Sequence, residues 1–146
     1  MKLKISIFLT SLILFTGCGD DEDSLSNNTG FFSNHSGSVW VTSDLWWLRI
    51  NNDSSDEYYD GKCVNFPTAD GIYNDWEGHQ INQTVIRNEA NYISWKIDYI
   101  EDNYPDGTAS LSVNASGNKL TYKTTSGVEY VYTKVNDTFP GTDCKN

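Results

Sequence analysis

Basic charge is scarce in this sequence. Ten lysines and arginines stand against 20 aspartates and glutamates, a formal net charge of −10. Such a chain has little with which to neutralise a row of phosphates, which excludes nucleic acid as a partner and leaves either no electrostatic partner or a basic one. Histidine is scarcer still, at His35 and His79 alone. No Ser-His-Asp order, zinc motif or phosphate-binding loop is present, so the sequence predicts neither an enzyme nor a cofactor. Also missing is any apolar run of the ~20 residues that a permanent transmembrane helix needs.

What is there begins at the amino terminus. Lys2 and Lys4 precede the apolar run 5–15, whose length suits the hydrophobic region of a secretion signal. Phe15-Thr16-Gly17-Cys18 follows, with small residues directly before a cysteine, and resembles the lipobox of bacterial lipoprotein precursors. Phe15 stands where that motif usually has Leu. The resemblance implies cleavage after Gly17, lipidation of Cys18 and acylation of its new amino group. Two or three chains on one residue give stable anchoring, whereas one acyl chain binds membranes only marginally. The expected organisation is a signal peptide at 1–17, a lipidated cysteine and tether at 18–36, and one domain at 37–146. Loss of Lys2 and Lys4 with the signal takes the net charge to about −12.

Lipidation would remove Cys18 from an odd cysteine count. Cys63 and Cys144 remain as a pair in a compartment where disulfides persist, and the expectation is a bridge between them. Closing so long a loop contributes about 4 kcal/mol in the chain-entropy picture. The block Gly19-Asp20-Asp21-Glu22-Asp23 resembles the export signal of Bacteroidota surface lipoproteins, which implies an outer-membrane anchor with the domain at the cell surface. As a plain solvated spacer it would only repel anionic headgroups. The polar segment after it reads as a flexible tether. Six Asn-x-Ser/Thr triplets, from Asn27 to Asn136, are what a chain rich in these residues gives by composition.

From Val39 onward the period is that of strands. Ile93, Trp95, Ile97 and Tyr99 alternate with Ser94, Lys96 and Asp98. Ala109, Leu111 and Val113 repeat the pattern, as do Leu120 with Tyr122, and Val128 with Tyr130 and Tyr132. The joints Asp70-Gly71, Pro105-Asp106-Gly107, Ser116-Gly117-Asn118 and Ser126-Gly127 carry turn chemistry. Ser43-Asp44 either caps a short helix at 45–48 or leads into a strand. Short strands joined by tight hairpins predict an all-β fold, a small antiparallel up-and-down barrel of about eight strands.

Gly37-Ser38-Val39-Trp40, Cys63-Val64-Asn65-Phe66 and Ala69-Asp70-Gly71-Ile72-Tyr73 recur in this order with two later segments. These are Gly117-Asn118-Lys119-Leu120-Thr121-Tyr122 and Tyr130-Val131-Tyr132-Thr133-Lys134. Together they span most of 37–135, and the chain resembles the small lipocalin-like lipoproteins of Bacteroidota. The opening differs from the lipocalin Gly-x-Trp by one inserted residue. The resemblance implies an eight-stranded cup for a small apolar ligand. Separately, Ser126-Gly127-Val128-Glu129-Tyr130 is similar to the Ser-Gly-x-x-Tyr segment of membrane-bound inhibitors of C-type lysozyme. That similarity implies an acidic inhibitor docking on a basic enzyme.

Candidate sites are few. Asp75, Glu77 and His79 would share one face of a strand, where a solvated face is the ordinary reading and a metal or acid–base site the special one. The acidic segment 51–57 has Asp56 where a calcium loop needs Gly, and reads as a plain loop. The aromatics are the stronger lead. Trp46 and Trp47 cannot both point inward from one strand, so one is exposed or lines a cavity mouth. Trp47, Trp95 and Tyr130 are the expected ligand-lining residues, with core packing as the alternative. The expectation is a lipid-anchored, non-enzymatic binding domain for a small apolar ligand or a glycan. The alternative is an inhibitor or immunity lipoprotein that blocks a basic protein partner such as lysozyme.

Overall fold

The alternation from Val39 onward folds as strands, and their hairpins place each strand beside the next. The computed structural model describes residues 30–101, 104–142 and 144. Cys18, the signal and the tether up to residue 29 lie outside the described residues. Among the described residues ten strands form: β1 (Val39–Val41), β2 (Trp47–Ile50), β3 (Ser54–Tyr59), β4 (Lys62–Pro67), β5 (Gly71–Asn74), β6 (Gln80–Glu89), β7 (Tyr92–Tyr99), β8 (Gly107–Val113), β9 (Lys119–Lys123) and β10 (Glu129–Val135). They make one antiparallel sheet in the order β4-β3-β2-β1-β10-β9-β8-β7-β6-β5. The sheet curls into a nearly closed up-and-down barrel, with β1 against β10 at Trp40 and Lys134. Its two edges, β4 and β5, are consecutive in the chain. Gln83 bridges toward that seam, its side-chain amide donating to the main-chain oxygens of Pro67 and Ala69 at 3.0 and 3.2 Å.

The expected fold class is therefore the one observed, with ten strands in place of about eight. The difference comes from short polar strands. The sequence reads as a plain loop at 51–57, yet Ser54–Tyr59 pairs with β2 on one side and β4 on the other. Its hairpin with β4 closes at Asp60-Gly61, both with positive φ (47° and 81°), a geometry that Gly adopts without strain. At 45–48 the strand reading holds from Trp47, and Leu45 turns with φ of 63°.

One end of the barrel is plugged. Helix α1 (Phe31–His35) lies across it, within the segment expected to be tether. A helix of five residues has no stability of its own. It is held by Asn88, whose side chain accepts the Phe31 N–H at 2.8 Å, and by Asn34 donating to the Ala90 carbonyl at 3.0 Å. The burial of Phe31 and Phe32 drives the docking. They pack with Trp40, Ile50, Ile93 and Leu120, all fully buried apart from Phe32 at 4% exposure. Burying such side chains contributes roughly 1.5–3 kcal/mol each.

The chain after β10 runs over the outer face of β2–β4. Phe139 is buried there beneath the Arg49 guanidinium, 4.6 Å from its ring centre, with Tyr58 edge-on. Cys144 is disulfide-bonded to Cys63, with the two Cα atoms 4.6 Å apart. The strap covers Asp56, which accepts Arg49 Nε at 2.9 Å, Asn51 Nδ2 at 2.9 Å and Asn65 Nδ2 at 2.7 Å. Burial opposes ionisation of this carboxylate, but the donors outweigh it and hold Asp56 below the ordinary value. Asp56, which stands at the Gly position of a calcium-loop pattern, is a structural ion-pair residue.

Candidate functional site

At the end opposite α1 the barrel is hollow. A cavity of about 550 Å³ opens between the β1–β2, β5–β6, β7–β8 and β9–β10 connections. Apolar side chains such as Phe32, Trp95 and Leu111 form its floor. Toward the mouth the lining becomes aromatic and polar, with Trp46, Trp76, Tyr104 and Tyr130 around the rim.

Local geometry explains the placement of each ring. Thr42 donates its N–H to the Trp46 oxygen at 2.9 Å and accepts the Trp46 N–H on Oγ1 at 3.1 Å. This tight turn, with Leu45 in the left-handed region, rolls Trp46 inward. There it stacks face to face on Tyr59 (4.2 Å between centroids, 6° between planes) and lies 5.0 Å from Trp76. Trp47 then starts β2 on the opposite face, half-buried, paired with Val41 and Tyr58. Of the three residues expected to line a ligand site, Trp95 and Tyr130 are in the cavity wall and Trp47 is not; its neighbour Trp46 is. Strand parity required one of the two to face in, but which one depends on where the turn ends.

Asp75, Glu77 and His79 are brought together by a turn rather than by a shared strand face. The Asp75 carboxylate accepts the N–H groups of Glu77 and His79, each at 2.9 Å, and contacts His79 Nδ1 at 3.1 Å. Glu77 lies 3.6 Å from the same nitrogen. His79 in turn packs on Tyr104, 4.2 Å between rings, and Tyr104 on Tyr99. Among the described residues no group of three or more His, Cys, Asp or Glu is placed to hold a metal ion. His35 lies at the other end, against Phe31, with its side chain on Asn91.

Glu57 is the residue that sequence reasoning missed. It follows Asp56 on β3, but parity turns it inward, level with Leu48 on β2 and Val64 on β4. No hydrogen bond or ion pair reaches its carboxyl among the described residues. Burial alone pushes Glu57 up to about 7. Burial likewise raises the phenols of Tyr122 and Tyr132 well above their ordinary value, with the Glu57 charge adding to it. The indole N–H of Trp95 is also buried without a partner among the described residues. The one signal that pointed to Glu57 was Asp60-Gly61, a hairpin turn that makes the preceding residues a strand.

Comparison of the chain with models of known protein families and with curated proteins finds no match.

Proposed function

We propose that this chain is a non-enzymatic binding module, anchored to the cell envelope by lipid on Cys18, whose barrel takes up a small, partly apolar ligand. The observation that carries this reading is the cavity of about 550 Å³, within the size range of small-molecule sites and lined mainly by apolar and aromatic side chains with a few polar groups. An inhibitor that works through its outer surface gains nothing from a hollow interior, so the open cavity favours ligand uptake over the inhibitor reading.

The direction of the barrel supports the same reading. Residue 30 enters at the plugged end, beside α1. A lipid on Cys18 would therefore attach the domain through its plugged end and leave the mouth at the end away from the attachment. The resemblance to lipocalin-like lipoproteins implies a cup of this kind.

Native mass spectrometry of the exported protein, incubated with extract of its host, tests the proposal. The expected result is a reproducible small added mass that Tyr130→Ala, at the rim, weakens and Trp95→Ala abolishes. A clean unliganded mass from folded wild-type protein would contradict it.

A further inference from the structure

Asp56 and Glu57 are adjacent on β3 and are treated in opposite ways. Asp56, on the outer face, is surrounded by donors from Arg49, Asn51 and Asn65. Glu57, on the inner face, has none among the described residues, and lines the cavity between Leu48 and Val64. A buried carboxylate left unpaired is costly, and folded proteins pair such groups or leave them protonated. The rest of the lining sharpens the contrast. Among the described residues, the whole lining contains three carboxylates, Glu57, Asp75 and Glu77, and no lysine, arginine or histidine. Lys62, near the mouth, is engaged with Trp76, donating to its main-chain oxygen and lying 4.9 Å from its ring centre.

Resting on the ligand-binding reading above, we propose that the ligand is a small organic cation, an amine or quaternary ammonium on an apolar body. Its charge is met by Glu57 and by the faces of the surrounding aromatic rings. Trp and Tyr faces attract a desolvated cation through their quadrupole, and Trp46, Trp76 and Tyr130 all line the cavity mouth. The apolar floor at Phe32 and Leu111 accepts the body of such a molecule. A neutral ligand would seal the Glu57 carboxyl in without a counter-charge, and an anion would meet three like charges.

The groups facing Glu57 agree with this assignment. Tyr122 and Tyr132 reach it from β9 and β10, with Tyr130 beyond; Leu48 and Val64 flank it on β2 and β4. Asp75 acts on Tyr122 from the β5–β6 turn, and His79 faces Asp75. No lysine or arginine is among these facing groups. Glu57, with its carboxyl raised to about 7, would then be ionised when a cation arrives above neutrality and mostly protonated below it.

Isothermal calorimetry on the folded full domain tests this with matched probes: phenethylamine, phenethyl alcohol and hydrocinnamate, plus alkyltrimethylammonium ions beside the corresponding alcohols. At about pH 8 the cations are expected to bind at least about tenfold more tightly than their neutral partners, and the carboxylate not at all. Glu57→Gln, which keeps shape, should bring cation and alcohol to within about twofold of each other. Equal binding of cation and alcohol to wild type, or tightest binding of the anion, overturns the cation assignment while the ligand-binding reading stands. Failure of every probe, neutral members included, sinks both.

Discussion

The plugged end and the open end of the barrel are made from the same strands, yet from opposite kinds of residue. At the plug, Phe31, Trp40, Ile50, Ile93 and Leu120 are completely buried. Polar groups there are partnered too: the Trp40 indole donates to Ser38 Oγ at 2.8 Å. At the mouth the inward side chains are Trp46, Glu57, Tyr122 and Tyr130, and Tyr130 is 43% exposed. Glu57 has no hydrogen-bond or ion-pair partner among the described residues there, and the rings line the cavity. β9 shows the change within one strand, from buried Leu120 to Tyr122, whose ring faces that of Tyr130 across 6.3 Å. One half of the molecule is closed by packed apolar side chains; the other surrounds a cavity.

Removing a plug residue should produce the largest effect. Phe31→Ala takes a fully buried ring from the closed end and should cost about 3–5 kcal/mol of stability, read by urea denaturation. A loss under about 1 kcal/mol would mean that α1 is not part of the folded core.

A substitution at the mouth should act in the opposite direction. Glu57 has its folded carboxyl raised to about 7 from an unperturbed 4.5. Below pH 4.5 it is protonated folded or unfolded and has no effect. Between those two values the unfolded chain ionises first, so stability falls as pH rises, and the penalty is complete above about 7. Glu57→Gln should therefore stabilise the domain by up to about 3 kcal/mol at alkaline pH, less where water enters the mouth, and by nearly nothing in acid. A variant with the same pH profile as wild type would remove the contrast between the two ends.

The two regions also differed in how plainly the sequence displayed them. The strands β7–β10 were legible because Ile93, Trp95 and Ile97, then Ala109, Leu111 and Val113, then Leu120 and Tyr132 alternate with polar neighbours and are buried as that pattern requires. β3 was not legible, since its inward positions are Ser55 and Glu57 rather than apolar residues. A strand whose core face is polar breaks the alternation that identifies strands, and such breaks are expected where a site sits. α1 escaped notice because five residues cannot display a helical period. Trp95 and Tyr130 could be placed in the wall from parity along β7 and β10. The choice between Trp46 and Trp47 hung on a turn at Leu45 whose backbone the residue type disfavours.

The most direct measurement is an NMR titration of the Glu57 side-chain carboxyl in the unliganded protein. A buried carboxyl in the barrel cavity, without a partner among the described residues, predicts a midpoint at about 7, and the midpoint should fall when a cationic probe binds. A midpoint near the unperturbed 4.5, unmoved by any probe, would contradict the account.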